Sequence, residues 1–192
     1  MLEGVTRPGY DAWQQAISAL SLGPGGWVQQ VNFVVFGVAI GCSALGWRAA
    51  LAQGLGATAI PALKGVTALA LIADGLFSQD PAKGFPPGAP PGVSTLHGTI
   101  HVLGAFVAVL SLAAACVVFA ARFAREPRWR AWAPFALAAG VLTIVFIAAF
   151  GATLGRGPAG LFERLMSGTE SIFNTLVVSR LLLGTGLVST TG

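Results

Sequence analysis

Charge is what this sequence has least of. Of 192 residues only 7 are acidic and 11 are Lys or Arg, a charged fraction of 9%, against roughly a quarter in ordinary soluble domains. With 55% hydrophobic residues and a mean hydropathy of +0.77, the chain cannot coat a globule with water-facing groups, which excludes a water-soluble domain. Cysteine is scarce too: Cys42 and Cys116 each lie in an apolar run. They read as small buried hydrophobes rather than as a disulfide or metal pair, and they leave the redox compartment open. GxxxxGK[ST], GxGxxG, GxSxG and CxxC are all missing, which argues against nucleotide-driven and thiol redox chemistry. The N-terminus, MLEGVTRPGYD, has no basic stretch followed by an apolar one, so no cleavable signal peptide is visible and insertion falls to internal helices. No internal repeat supports an inverted-repeat transporter.

Long apolar runs are abundant instead. Ala131 to Gly155 holds no charged residue and follows Arg122, Arg125, Arg128 and Arg130. A helix needs such a run to cross about 30 Å of hydrocarbon at ~1.5 Å per residue. Uncharged spans predict five membrane helices, at 27–50, 57–77, 95–121, 131–155 and 165–188. The expected fold is thus an all-α polytopic membrane helix bundle. Residues 27–192 form its five-helix domain, and residues 1–26 form an outward-facing interfacial segment. In that segment Asp11 would cap an amphipathic helix with Trp13, Ala16, Ile17 and Leu20 on one face and Gln14, Gln15, Ser18 and Ser21 on the other, ended by Gly23 to Gly26. Gly37/Gly41 and Gly151/Gly155 are small-xxx-small pairs at which helices would meet.

The net charge of +4 is a matter of topology and not of nucleic acid. Four of the eleven basic residues fall in 122–130, which makes that loop cytoplasmic in a prokaryotic inner membrane and turns the N-terminus, 78–94 and 156–164 outward. Lys64 and Arg180 would snorkel to the cytoplasmic surface.

The two histidines, His97 and His101, stand four apart on one helical face. Such a pair is either half of a zinc site or two polar residues bonded to neighbouring helices. The expected topology puts them at the same outer level as Asp74, Asp80, Glu163 and Glu170. Glu163, Ser167, Glu170 and Asn174 follow helical spacing. Acidic groups in hydrocarbon turn toward a bundle interior or a wet cavity, which predicts an outward-facing polar vestibule formed by His97, His101, Asp74, Asp80, Glu170 and Asn174. The competing arrangement pairs the acids with Lys83, Arg156 or Arg164 at the headgroup boundary.

Three segments together carry a family resemblance: RPGYDAWQQAISALSLGPGGWVQQVNF (Arg7 to Phe33), GLFSQDPAKGFPPG (Gly75 to Gly88) and LHGTIH (Leu96 to His101). In their order and spacing the chain resembles the uncharacterised prokaryotic membrane family known as domain of unknown function 998, over nearly its whole length. The resemblance implies a compact multi-helix membrane domain and brings no activity with it. By the same resemblance the chain lacks a membrane helix that members carry ahead of RPGYD, and has Gln14-Gln15-Ala16 where they tend to show Arg-His-Pro.

The leading functional reading is an integral membrane protein of unassigned role whose vestibule takes a lipid headgroup or small amphiphile. Its partners would be membrane lipids, with a membrane protein or a second copy of the chain as a further partner. The alternative is a metal-dependent hydrolase at the outer leaflet, similar in its HxxxH to intramembrane ceramidase-type enzymes. Zinc would be held there by His97, His101 and Asp74 or Asp80, with Glu170 as general base. A small transporter or channel component is the third.

Overall fold

The computed structural model describes residues 2–82, 84–90, 93–155 and 157–183. Among them the chain is all-helical: α1 (Leu2–Thr6), a 3-10 turn (Ile17–Ser21), α2 (Trp27–Ala50), α3 (Ala59–Leu76), α4 (Leu96–Arg125), a second 3-10 turn (Arg130–Trp132), α5 (Ala133–Thr153) and α6 (Ala159–Leu182). The spans covering α2, α3, α4 and α5 are each long and apolar enough to cross a membrane. Their outer faces support that assignment, because Val35, Leu69, Leu110 and Val145 are all at least half exposed. Apolar surface on that scale suits lipid and not water. The fifth expected span is a 24-residue helix, α6. Glu163, Arg164, Glu170, Asn174 and Arg180 keep it less apolar than the other four.

Each long helix packs chiefly on its neighbour in sequence, as short connections between antiparallel helices dictate. Glycine sets how closely they approach. A Cβ at Gly37 would lie 2.9 Å from the Ala68 carbonyl on α3, and one at Gly140 3.0 Å from Cys116 Cβ on α4, so only glycine lets these backbones meet. The Gly37 expectation holds, whereas that for Gly151/Gly155 does not. Nothing lies within 4 Å of a Cβ at either, and Gly155, at φ +86°, serves the turn after α5 instead.

The two ends of the bundle differ in kind. At the arginine-rich end Trp47, Phe119, Phe123, Trp129 and Phe173 form one buried cluster. Phe123 and Trp129 stack at 4.8 Å, and the Arg180 guanidinium sits 5.0 Å over Trp129. Helix α4 runs four residues past its expected end and takes Arg122 with it. Arg122 is buried and donates to the carbonyls of Gln53 and Leu55 at 3.0 and 2.7 Å, tying the α2–α3 turn to α4. Arg180 donates to the Arg128 carbonyl at 2.8 Å. Both arginines serve internal bonding that hydropathy could not show.

At the opposite end residues 7–26 fold over the helices as a cap. The expected amphipathic helix over 11–22 is reduced to the five-residue 3-10 turn. Asp11 accepts from Trp13 N at 2.9 Å, so it closes a local turn rather than starting an α-helix. The predicted faces are not kept either: Trp13 is 58% exposed although Leu20 is buried, and Gln15, Ser18 and Ser21 are buried although Gln14 is exposed. Ser18 turns inward because it donates to Gln79 Oε1 at 2.7 Å. Arg7 clamps the cap from within, donating to the carbonyls of Leu20, Leu22 and Pro24.

Candidate functional site

Under the cap lies a cavity of about 260 Å³ that touches all five long helices. Phe33, Phe36 and Ile40 of α2 give it an apolar wall, and Asp74, His101, Thr143, Glu163, Glu170 and Asn174 give it polar groups. The geometry follows from chain direction: α3 and α5 run away from the arginine-rich end while α2, α4 and α6 run toward it. The late residues of α3 therefore share a level with the early residues of α4 and α6.

At the floor of the chamber is a bonded network. Glu170 is buried and its Oε1 accepts from Thr143 Oγ1 at 2.7 Å and from the Cys116 thiol at 3.8 Å. Asn174 donates to the Glu170 backbone carbonyl at 2.8 Å, and its Oδ1 accepts from Lys64 Nζ. Lys64, 1% exposed, does not snorkel. Its Nζ donates to Asn174 Oδ1 inside the bundle and lies within electrostatic reach of Glu170, partners that hold it there rather than at the surface. Of the two cysteines only Cys116 is buried; Cys42 faces out of the bundle.

Nearer the cap stand Asp74 and His101. Asp74 is 2% exposed and its Oδ1 has no hydrogen-bond partner among the described residues. It fits beside Gly104, where a Cβ would come within 2.3 Å of that oxygen. His101 Nδ1 lies 2.9 Å from the Phe77 carbonyl and 3.3 Å from that of Asp74. Carbonyls only accept, so Nδ1 carries the proton and Nε2 is left with the lone pair. At 3.9 Å from Asp74 Oδ1, Nδ1 is too far to bond it.

Glu163 and Arg164 clip the cap to α6. Glu163 Oε2 accepts from Ile17 N, and Arg164 donates to the Ala12 carbonyl at 2.7 Å and to the Tyr10 hydroxyl at 2.6 Å. Gly160 permits the approach, because a Cβ there would lie 2.2 Å from the Gln15 carbonyl. Arg164 thus spends its donors on the cap. Lys83 and Arg156, the other expected partners of the acids, lie outside the described residues.

Two predicted site residues stand apart from the chamber. His97 is exposed, with its ring edge-on to Phe77 at 5.2 Å. Asp80 accepts from Thr95 N at 2.9 Å and from Thr95 Oγ1 at 2.6 Å, and Thr95 Oγ1 in turn accepts from Gly98 N, so the pair caps α4. The Thr95 hydroxyl and then its backbone N–H hold the Asp80 carboxyl below the usual carboxylate range. His101 is carried one turn deeper than His97, under Phe33 and Phe77. Among the described residues no three His, Cys, Asp or Glu side chains are grouped so as to hold a metal ion.

A family model described as "Protein of unknown function (DUF998)" matches residues 1–180. The chain belongs to this family. No curated protein and no solved structure matches it.

In this DUF998 protein Asp74, His101, Glu170 and Asn174 are brought to one cavity. Thr143 lines the cavity with them, and Lys64 and Cys116 bond to Asn174 and Glu170, none of the three having been predicted. Thr143 and Cys116 sit in apolar runs where hydropathy marks nothing. Lys64 does interrupt a span, and although it was expected at the surface, its place one to two turns inside a helix end is the signal by which an internal partner could have been found. Chemically the arrangement offers one bonded network at depth, and above it a buried carboxyl with an oxygen that has no hydrogen-bond partner among the described residues.

Proposed function

We propose that this protein is a multi-pass protein of a prokaryotic cytoplasmic membrane that holds a small amphiphile, such as a lipid by its headgroup, in the chamber under its cap. One observation carries the reading: Asp74, His101, Glu163 and Asn174 face the same cavity as Phe33, Phe36 and Ile40, a two-sided lining that suits a molecule with a polar and an apolar part. The volume, about 260 Å³, is slightly under the roughly 300–1,000 Å³ of drug-sized sites and favours a small headgroup with part of its chain. Among the described residues the other end is filled by the aromatic cluster, which favours holding a ligand over conducting one. Exposed Arg48, Arg125, Arg128 and Arg130 support a cytoplasmic arginine end and an outward cap. Membrane lipids are the immediate partners.

Filling the chamber tests the reading. Ala105 lines it, whereas Leu110 is 54% exposed on the outside of the same helix. Decyl-chain amphiphiles titrated into the purified protein in amphipol should bind saturably, and Ala105→Trp should abolish that binding while Leu110→Trp keeps it. Binding indifferent to Ala105→Trp, or never saturating, rejects the chamber as the site. Orientation is checked by thiol labelling in intact cells on a Cys42→Ala background. A cysteine at Ala89 should react with an impermeant reagent and one at Ala124 should not.

A further inference from the structure

The charges around the chamber are unevenly answered. Glu170 has the Thr143 hydroxyl, the Cys116 thiol and the nearby Lys64 ammonium. Glu163 has the Ile17 amide, with Arg164 close enough to act on it. Among the described residues Asp74 has neither donor nor cation. It is 2% exposed, lines the chamber, and has an unpartnered Oδ1. His101 cannot serve, since its Nδ1–H is spent on the carbonyls of Phe77 and Asp74. Lys64 lies ten residues back along α3, about 15 Å at the helical rise, and is held by Asn174. Glu163, a second acid, reaches Asp74 electrostatically. A buried carboxyl oxygen without a partner, on a residue that lines a cavity, marks a place that a ligand completes.

We propose that the chamber selects amphiphiles whose headgroup is a primary ammonium, with Asp74 accepting an N–H from it and Glu163 adding negative potential. The proposal rests on the chamber reading above and narrows it to one headgroup chemistry. A primary ammonium supplies at once what Asp74 lacks, a donor and a positive charge. A quaternary ammonium supplies only the charge, an alcohol or sugar only the donor, and a sulfate or phosphate alone adds charge of the wrong sign. The apolar α2 wall takes the chain in each case, so the headgroup alone discriminates.

The test holds the chain constant and varies the head. Decylammonium, decyltrimethylammonium, decyl glucoside and decyl sulfate are titrated into the protein in amphipol, alongside a short-chain phosphatidylethanolamine. Decylammonium or the phosphatidylethanolamine should bind at least about tenfold more tightly than the glucoside and the sulfate. The tighter of the two tells whether a free amine or a lipid headgroup is the natural form. Asp74→Asn should erase that preference, and Glu163→Gln should reduce it by a smaller factor. Equal affinity across all heads, or a preference for sulfate, overturns the ammonium assignment and leaves the chamber reading standing. No saturable binding of any head overturns both. The wild-type headgroup series decides the matter even where Asp74→Asn fails to fold.

Discussion

Lys64 and Asn174 are joined across the middle of the bundle. The lysine ammonium donates to Asn174 Oδ1, and the Asn174 amide donates to the Glu170 carbonyl one turn earlier on α6 at 2.8 Å. This bond links α3 directly to α6, two helices that are not neighbours in sequence. It places a cation at a depth where it is tolerated only because its partners are built in.

Removing that cation should therefore expose its partner. Lys64→Met leaves the Glu170 carboxyl buried without a nearby positive charge, a loss expected to be about 3 kcal/mol. Adding Glu170→Gln should return about 1 kcal/mol or more of it, since the two groups act as a unit. Thermal unfolding of the two single variants and the double variant reads this directly. Additivity within ~0.5 kcal/mol would mean that Lys64 and Glu170 are independent.

Helix contact at Gly140 contrasts with its absence at Gly151. A side chain at 140 must displace Cys116 Cβ at 3.0 Å and the Ala113 carbonyl at 3.1 Å, while one at 151 meets nothing within 4 Å. Gly140→Leu should cost about 1–3 kcal/mol through overpacking. Gly151→Ala should be neutral or gain up to about 1 kcal/mol from reduced chain entropy and better helix propensity. Equal melting shifts for the two would refute the assigned α4–α5 contact.

Asp80 predicts an acid limb of stability. Its carboxyl is held below the ordinary range by the Thr95 hydroxyl and backbone N–H, so the folded protein binds this proton less readily than the unfolded chain. The stabilisation is complete above the unfolded pKa of about 3.9 and disappears as pH falls through the lower folded value. Melting temperature followed from pH 6 to pH 3 should fall for the native protein, and less steeply below about pH 4 for Asp80→Asn. Parallel curves in that window would show that the Thr95 bonds leave the carboxyl unperturbed.

Much of this protein was open to reading in one dimension. The span at α2 was predicted to the residue, and α3 and α5 fell within two, because an uncharged run bounded by Trp, Arg or Gly is a local property. Helix α6 begins six residues earlier than predicted. Glu163 and Arg164 looked like a headgroup boundary, yet they lie inside a helix because the cap segment satisfies them. The interfacial helix failed for the related reason that Ser18 finds its bonding partner, Gln79, 61 residues away, outside the segment itself.

The sequence by itself therefore determined the membrane-spanning all-α class, the family, the positions of the apolar helices and the polar stripe on α6. These follow from hydropathy, charge and spacing along a single segment. Only the tertiary structure decided which polar groups meet. It joined Lys64 to Asn174 over 110 residues of sequence separation and Thr143 to Glu170, separated His101 from His97, and left Asp74 a buried carboxyl without a donor among the described residues. In hydrocarbon a polar side chain is stable only against another polar group, and the identity of that group is fixed by how helices distant in sequence are brought side by side.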